Sequence, residues 1–377
     1  MSTAVILFWC AAAFLVYTHL GYPVLLWVWA RARSHRQSPD GLVAQPFVSI
    51  VVVAYNEAAR IGARVENLLA LDYPRECLEI IVASDGSHDA TADIAGGCTG
   101  VRVIAYRERR GKSAVLNDVI PRARGDIVLL ADARQRFESG ALRALVRHFA
   151  DPKVGAVSGE LMLSGEGGNE GVGFYWRYEK FIRRNESAID STVGVTGAIY
   201  ALRRELFTPI PAATILDDVL IPMQIARRGY RVTFEPAARA HDRTAIAAVE
   251  FRRKVRTLAG NFQLVAIAPW LLNPFANRLW WQTVSHKLLR LAVPLWLAIA
   301  LGSNLLLLDR PFYRVTLAMQ CAFYIAAAVR HALPSANARL RVLDVPYAFC
   351  MLNWATVVGL FRLLSGRQRV TWERGMT

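Results

Sequence analysis

The run FVSIVVVAYNE, from Phe47 to Glu57, joins a β-branched apolar stretch to a polar corner. A short run of this kind, apolar on both faces, fits a parallel strand buried within a sheet. Glu57 to Leu69 then takes helical spacing, and the alternation continues down the chain. Leu78-Glu-Ile-Ile-Val-Ala83 predicts a second strand and Val101-Arg-Val-Ile-Ala105 a third. Ser113 to Arg122 predicts a helix, and Asp126-Ile-Val-Leu-Leu-Ala131 a fourth strand. Strands alternating with helices predict an α/β fold with a doubly wound, mostly parallel sheet. Ligands of such sheets bind beyond the carboxyl ends of the strands, so chemistry is to be sought just after each one.

Polar clusters occupy those places. Ala54-Tyr-Asn-Glu57 follows the first strand, Ser84-Asp-Gly-Ser87 the second and Asp132-Ala-Arg134 the fourth. Arg110-Gly-Lys-Ser-Ala-Val-Leu-Asn117 follows the third and opens a helix, where Lys112 and free N–H groups suit an anion. A single acid after a strand reads as a helix cap. Four polar clusters converging on one sheet edge read as a binding site.

The chain around this insert is more apolar. Of 377 residues 54% are hydrophobic, and 45 Lys+Arg against 30 Asp+Glu give a net charge of +15. Ten Trp, twelve Tyr and sixteen Phe exclude a disordered chain. Five Cys without a CxxC pair exclude a disulfide scaffold and argue against a cysteine metal site. From Ala4 to Ala30 there is no formal charge, enough for the ~20 residues of a bilayer span. The basic residues Arg31, Arg33, His35 and Arg36 follow that run rather than precede it, which marks an uncleaved anchor with its C-terminal side in the cytoplasm. Further apolar stretches lie at Leu288–Leu308, Phe312–Val329 and Val342–Leu360.

The expected organisation is therefore an anchor at 1–36, a cytoplasmic catalytic insert at 44–250, interfacial amphipathic helices at 251–280, transmembrane helices at 281–364 and a basic tail at 365–377. Phe251 to Leu272, rich in Lys and Arg, is expected on the inner leaflet, with Lys287 and Arg290 snorkelling to lipid phosphates. The positive-inside rule suits Arg330 to Arg341, but a fourth full crossing would carry Arg362, Arg367, Arg369 and Arg374 outside. Either the last stretch is re-entrant or interfacial, or the tail is an exception. The basic residues cluster at span ends and around Lys112, and no nucleic-acid-binding pattern occurs, so no nucleic acid partner is expected.

As a set, AYNE (54–57), SDGSHDAT (84–91), GKSAVLN (111–117), LLADARQRF (129–137), YWRYEKFIRRNES (175–187), VGVTGAIYALRRELF (193–207), ILDDVLIPMQIARRGYR (215–231) and RRKVRTLAG (252–260) resemble the membrane-embedded branch of family 2 glycosyltransferases. That branch includes cellulose, chitin, hyaluronan and poly-N-acetylglucosamine synthases, and the resemblance runs from about Pro46 to Gln263. It implies a GT-A-like domain. It also implies inverting transfer of a hexose or N-acetylhexosamine from a UDP-sugar to a polysaccharide or lipid-linked acceptor, at the cytoplasmic face of the plasma (inner) membrane.

By position, the resemblance implies that Ala54, Tyr55, Glu57, Asp85 and Lys112 bind the UDP-sugar, together with Arg253 and Arg256. Asp132 would set Mg²⁺ or Mn²⁺ against the diphosphate. Asp218, paired with Asp217, would be the general base, with Gly194, Thr196, Gly197, Trp176, Tyr178 and Glu179 on the acceptor side. The chemistry suits these residue types. A cation held by carboxylate oxygens offsets the charge that develops on a diphosphate leaving group, and adjacent carboxylates raise each other's pKa. The alternative for Asp217-Asp218 is an N-cap of a helix Val219–Arg228. Two positions depart from the family pattern: Arg134 replaces the second acid of D-x-D, and Thr257 replaces the Trp on which processive synthases stack a sugar. A non-processive lipid-linked transferase and a catalytically impaired binding subunit are therefore carried as alternatives. With only three late apolar stretches to build a channel, a separate export subunit is expected as a partner.

Overall fold

The computed structural model describes residues 2–33, 45–164, 170–243, 247–333, 342–369 and 371. His35, Arg36, the 334–341 portion of the basic segment and Arg374 lie outside the described residues. Eight strands form one sheet: β1 (Val48–Ala54), β2 (Leu78–Asp85), β3 (Val101–Tyr106), β4 (Ile127–Ala131), β5 (Arg136–Phe137), β6 (Val154–Ser164), β7 (Ile199–Arg203) and β8 (Arg231–Arg243). Their order is β3-β2-β1-β4-β7-β6-β8-β5.

β1 shows why the sheet forms. Ile50, Val52 and Ala54 share a core with Ile61, Val65 and Leu68 on one face, while Val51 shares the opposite core with Ile81, Val115 and Leu116. Burying each such side chain contributes roughly 1.5–3 kcal/mol, so a charge at Val51 or Val52 would break one layer. The helices that cover these faces are α3 (Ala58–Leu69), α4 (Thr91–Gly96), α5 (Lys112–Val119), α6 (Ala141–Val146) and α8 (Asp217–Arg227). They follow α1 (Thr3–Val16) and α2 (Tyr22–Ala32), and α7 (Glu170–Ile189) lies between α6 and α8 in the chain.

The strands read from the sequence, β3-β2-β1-β4, are all parallel. Beyond β4 the sheet is mixed, because β7 runs antiparallel to both β4 and β6. Ala131 at the end of β4 pairs with Ile199 at the start of β7. The antiparallel strand thus brings the turn before it, residues 190–198, to the same edge as the carboxyl ends of β1–β4.

Among the described residues four helical stretches are long and apolar enough to cross a membrane. α1 and α2 form the first, joined by a π-helical turn at Tyr17–Gly21. The second holds α10 (Trp280–Gln282) and α11 (Leu289–Leu305), joined by a π turn at Thr283–Leu288. It follows the amphipathic α9 (Ala247–Ile267), and α12 (Pro311–Ala332) and α13 (Asp344–Leu364) complete the set. At the domain-facing end, Tyr22, Leu26 and Ala30 pack against Ile182 and Ile189 of α7. At the far end Val5 and Phe8 pack with Leu307 and Tyr313.

α13 lies against α9. A Cβ at Gly359 would stand 3.0 Å from the Ala259 backbone nitrogen and 3.0 Å from the Val255 carbonyl oxygen, so glycine permits this close approach. Beyond α13, Thr371 lines the same pocket as Asp85 and Lys112. Thr371 therefore lies on the side that carries the sheet.

Candidate active site

The corner after β1 is pinned to the corner after β2. Asn56 adopts φ 53°, its Oδ1 accepts the His88 N–H at 2.8 Å, and its own N–H reaches Ser87 Oγ at 3.1 Å. Asparagine tolerates this left-handed conformation better than most residues. Glu57 is buried, paired with Arg60 at 3.1 Å. The Asp85 carboxylate accepts the N–H groups of Arg110 at 2.6 Å and Gly111 at 2.9 Å, which shapes the loop leading into α5.

Lys112 opens α5 with its ammonium 3.0 Å from Asp132 Oδ1 and 3.5 Å from Asp217 Oδ2. Burial opposes its charge, but Asp132 and Asp217 outweigh burial and hold the ammonium above the usual lysine range. Tyr55, Asp85, Lys112, Asp132 and Arg134 line one pocket, with Thr371 from the tail. The Arg109 guanidinium lies 3.7 Å from the centroid of the Tyr55 ring.

The two acids of α8 are not caps. Leu216 precedes the helix, Asp217 and Asp218 fill its first turn, and no side chain caps the helix start. Acids there gain from the helix dipole, so the capping alternative gives way to two carboxylates available for other contacts. Burial first, and then the neighbouring Asp217, push the Asp218 carboxyl up to about 6, against the pull of Lys112. The turn before β7 fits around Asp218. Val195 N–H donates to the Asp218 carbonyl at 2.9 Å, Gly194 takes φ 81°, and Thr196 N–H donates to Ser158 Oγ at 3.0 Å. A Cβ at Gly197 would stand 3.0 Å from Asp218 Oδ2, so glycine leaves room for the carboxylate.

Arg256 lies near the same acids: burial lowers its pKa while Asp217, Asp218 and Asp132 act to raise it. Arg253 is lowered by burial and by Arg134. Arg134 Nε is 2.9 Å from Asp242 Oδ2, which Gln135 also reaches at 3.1 Å, so the residue in the second-acid position is tied to β8. Thr257 is exposed on α9.

Three residues expected on the acceptor side lie at the junction of α7 with the membrane helices. Tyr178 Oη donates to the His19 carbonyl at 2.9 Å, and Lys254 sits 5.1 Å from the Trp176 ring centroid. Glu179 is buried and paired with His286 at 2.9 Å, Arg290 at 3.0 Å and Lys287 at 3.5 Å. Its carboxylate is thus committed to the helix at Trp280–Leu305, whereas Gly194, Thr196 and Gly197 stand beside Asp218.

Tyr200, Asp242 and Thr371 are neighbours that the sequence reading missed. Tyr200 is fully buried on β7 with no hydrogen-bond partner for its hydroxyl among the described residues. Burial, then Asp217, Asp218 and Asp132, hold that phenol well above its usual range. Nothing in an apolar strand sequence signals this. The basic run before Lys112 did offer a lead to Arg109.

Among the described residues no group of three His, Cys, Asp or Glu side chains is placed to hold a metal ion. Asp132 offers one carboxylate, with Lys112 already against it. That set fits an ion that arrives with a diphosphate, because Mg²⁺ commonly takes one or two carboxylates and fills its shell with phosphate oxygens and water.

A half of parallel strands, a mixed second half and an acidic pair at the shared edge define a GT-A-like glycosyltransferase domain. Residues 49–209 match the profile described as Glycosyl transferase family 2, and the chain carries a domain of that family. It is 26% identical over 201 residues to the poly-beta-1,6-N-acetyl-D-glucosamine synthase of Staphylococcus aureus (strain COL), covering 51% of this chain and 48% of that protein. It is 36% identical over 146 residues to the beta-monoglucosyldiacylglycerol synthase of Trichormus variabilis, covering 37% of this chain and 31% of that protein. The matches thus span about half or less of these relatives. Among solved structures, the mannosyltransferase PcManGT from Pyrobaculum calidifontis, in complex with GDP-Man and Mn²⁺, superposes with a TM-score of 0.72 at 24% identity. The shared fold covers 96% of this chain and 99% of that one, so the likeness takes in helices outside the sheet.

Proposed function

We propose that this chain transfers a hexose or N-acetylhexosamine, with inversion, from a nucleoside diphosphate sugar to a glycan or lipid-linked acceptor at the cytoplasmic face of the plasma membrane. The motif resemblance favours UDP as the nucleotide. The observation that carries the reading is Asp218: a half-buried carboxyl, pushed up to about 6, next to Asp217, which with Asp132 pairs with Lys112 of the pocket. Such a group is deprotonated at neutral pH yet basic enough to accept a proton.

In this reading Tyr55 and Glu57 border the nucleotide, and Lys112 meets the diphosphate. Asp218 takes the proton of the acceptor hydroxyl as its oxygen bonds to the anomeric carbon and the bond from that carbon to the phosphate oxygen breaks. A divalent ion, Mg²⁺ or Mn²⁺, held by Asp132 and the diphosphate, would offset the charge on the leaving group. The bound GDP-Man and Mn²⁺ of the Pyrobaculum neighbour support a nucleotide-sugar donor with a divalent ion, and make GDP-sugars the necessary control. The Staphylococcus and Trichormus relatives support a glycan and a lipid acceptor respectively. The exposed Thr257 favours single addition over processive growth, and any exported product would need a partner subunit.

The test is release of nucleoside diphosphate from UDP-glucose, UDP-N-acetylglucosamine and GDP-mannose by the protein in lipid nanodiscs with Mg²⁺ or Mn²⁺, with sizing of the product. Turnover of a UDP-sugar to a short product is expected. Turnover of GDP-mannose alone would overturn the UDP assignment, and no turnover with any donor would overturn the function.

A further inference from the structure

Outside the donor pocket, a buried polar cluster joins α7 to two membrane helices. His286, fully buried in the π turn at Thr283–Leu288, lies between two carboxylates of α7: Nδ1 is 2.8 Å from Glu186 Oε1 and Nε2 is 2.9 Å from Glu179 Oε1. Tyr22 of α2 donates its hydroxyl to the same Glu186 Oε1 at 2.7 Å. The remaining oxygen, Glu186 Oε2, accepts the N–H of Val193 at 3.2 Å. Val193 begins the turn whose next members grip Asp218 through the Val195 N–H and the open space at Gly197.

One fully buried carboxylate therefore ties both membrane helices to the loop that shapes the acidic pair. Joining helices does not require this. Apolar side chains of similar volume do it as well or better, because desolvating charges offsets much of their attraction. Burial alone would raise the Glu186 carboxyl, and His286, Tyr22 and the Val193 N–H outweigh it and keep the group below its usual range. What an acceptor oxygen adds over apolar packing is direction: it fixes where the Val193 N–H points.

We propose that Glu186 and His286 are positioning residues that set Asp218 from the membrane side, so that the base is in register only when α7 is seated on the helices bearing Tyr22 and His286. The inference rests on Asp218 as the base, and its test separates the two. Hydrogen–deuterium exchange of the full chain in nanodiscs needs no substrate. Glu186→Ala and His286→Ala are each expected to speed exchange across residues 192–197 by about tenfold or more, while β1 and β4 stay protected. Glu186→Gln, which keeps an oxygen for Val193, is expected to retain protection. Unchanged exchange in the alanine variants, or equal loss throughout the sheet, would overturn the proposal.

With turnover of whichever of the three nucleotide sugars the wild type uses, Glu186→Ala should lower kcat about 10–100-fold with donor KM within about twofold, as expected of a small misplacement of a reacting group. In an Asp218→Asn background the same change should add less than about twofold, since residues acting through one group are not additive. Losses that multiply would show that Glu186 acts elsewhere and would overturn the proposal. A wild type without turnover would defeat the functional reading while the exchange result still decides this one.

Discussion

The strand-end half of the candidate site and the half at α7 are held by different means. Around Tyr55, Asp85 and Lys112 each group sits within a few residues of a strand end, and much of the geometry comes from backbone N–H groups, as where Asp85 collects those of Arg110 and Gly111. Around Glu179, Glu186 and His286 the partners lie on separate helices and are held by buried hydrogen bonds and by the ion pairs of Glu179 with Lys287 and Arg290. The first half depends on local chain geometry, which survives as long as the sheet does. The second depends on the seating of α7, so it is the half expected to respond to lipid, detergent or truncation.

The largest test of this contrast is Asp218→Asn, at the meeting point of the halves. The rate should fall by about two to four orders of magnitude while nucleotide still binds, since general-base catalysis contributes about that much. The same variant should be more heat-stable at pH 7. The folded carboxyl titrates near 6, above its ordinary 3.8, so its favourable contribution is present at low pH and is lost as pH rises through about 6. Near wild-type turnover would remove Asp218 from its role, and a lower Tm would contradict its burial as a charge.

A smaller loss is expected on the donor side. Asp132→Ala should weaken Mg²⁺- or Mn²⁺-dependent nucleotide binding at least about tenfold, read by calorimetry. Arg134→Ala should change it by less than about threefold, because Asp242 holds that side chain. The reverse ranking would mean that Arg134 neutralises the phosphates and that the pocket works with little metal. A pH series adds a graded effect: wild-type kcat should drop about tenfold per unit below about 6, and the drop should be absent from the residual rate of Asp218→Asn.

The smallest perturbation asks whether both halves share one face of the membrane. In a Cys-less background, Thr371→Cys and Glu108→Cys, the latter exposed before α5, should react with an impermeant thiol reagent only after lysis, and Ser2→Cys in intact cells. Labelling of Thr371→Cys without lysis would separate the tail from the pocket it lines.

The sequence was most legible where structure is local. The first four strands, their polar corners and α5 follow from residue patterns a few positions long. The direction of β7 was not legible, because Ile-Tyr-Ala-Leu-Arg suits a strand in either sense and only pairing with β4 sets it. The ties of Arg134 to Asp242, and of Glu186 to His286, join residues about a hundred positions apart, and no spacing rule reaches that far. Glu179 sits on the helix where the motif places it, and its pairing with His286, Lys287 and Arg290 again joins residues more than a hundred positions apart.

The π turn at Tyr17–Gly21 has a consequence for phase. Each residue of a helix advances about 100° around the axis, and a π turn accommodates one extra residue without breaking the rod. The first membrane helix can therefore show one face to Leu307 and Tyr313 at its far end and a differently rotated face, Tyr22, Leu26 and Ala30, to α7. Tyr17 in this turn meets Ser285 in the second π turn at 2.8 Å, so the two phase shifts lie side by side. Were the same five residues wound as regular α-helix, hydrophobicity would be unchanged, yet Tyr22 would turn about 100° away from Glu186.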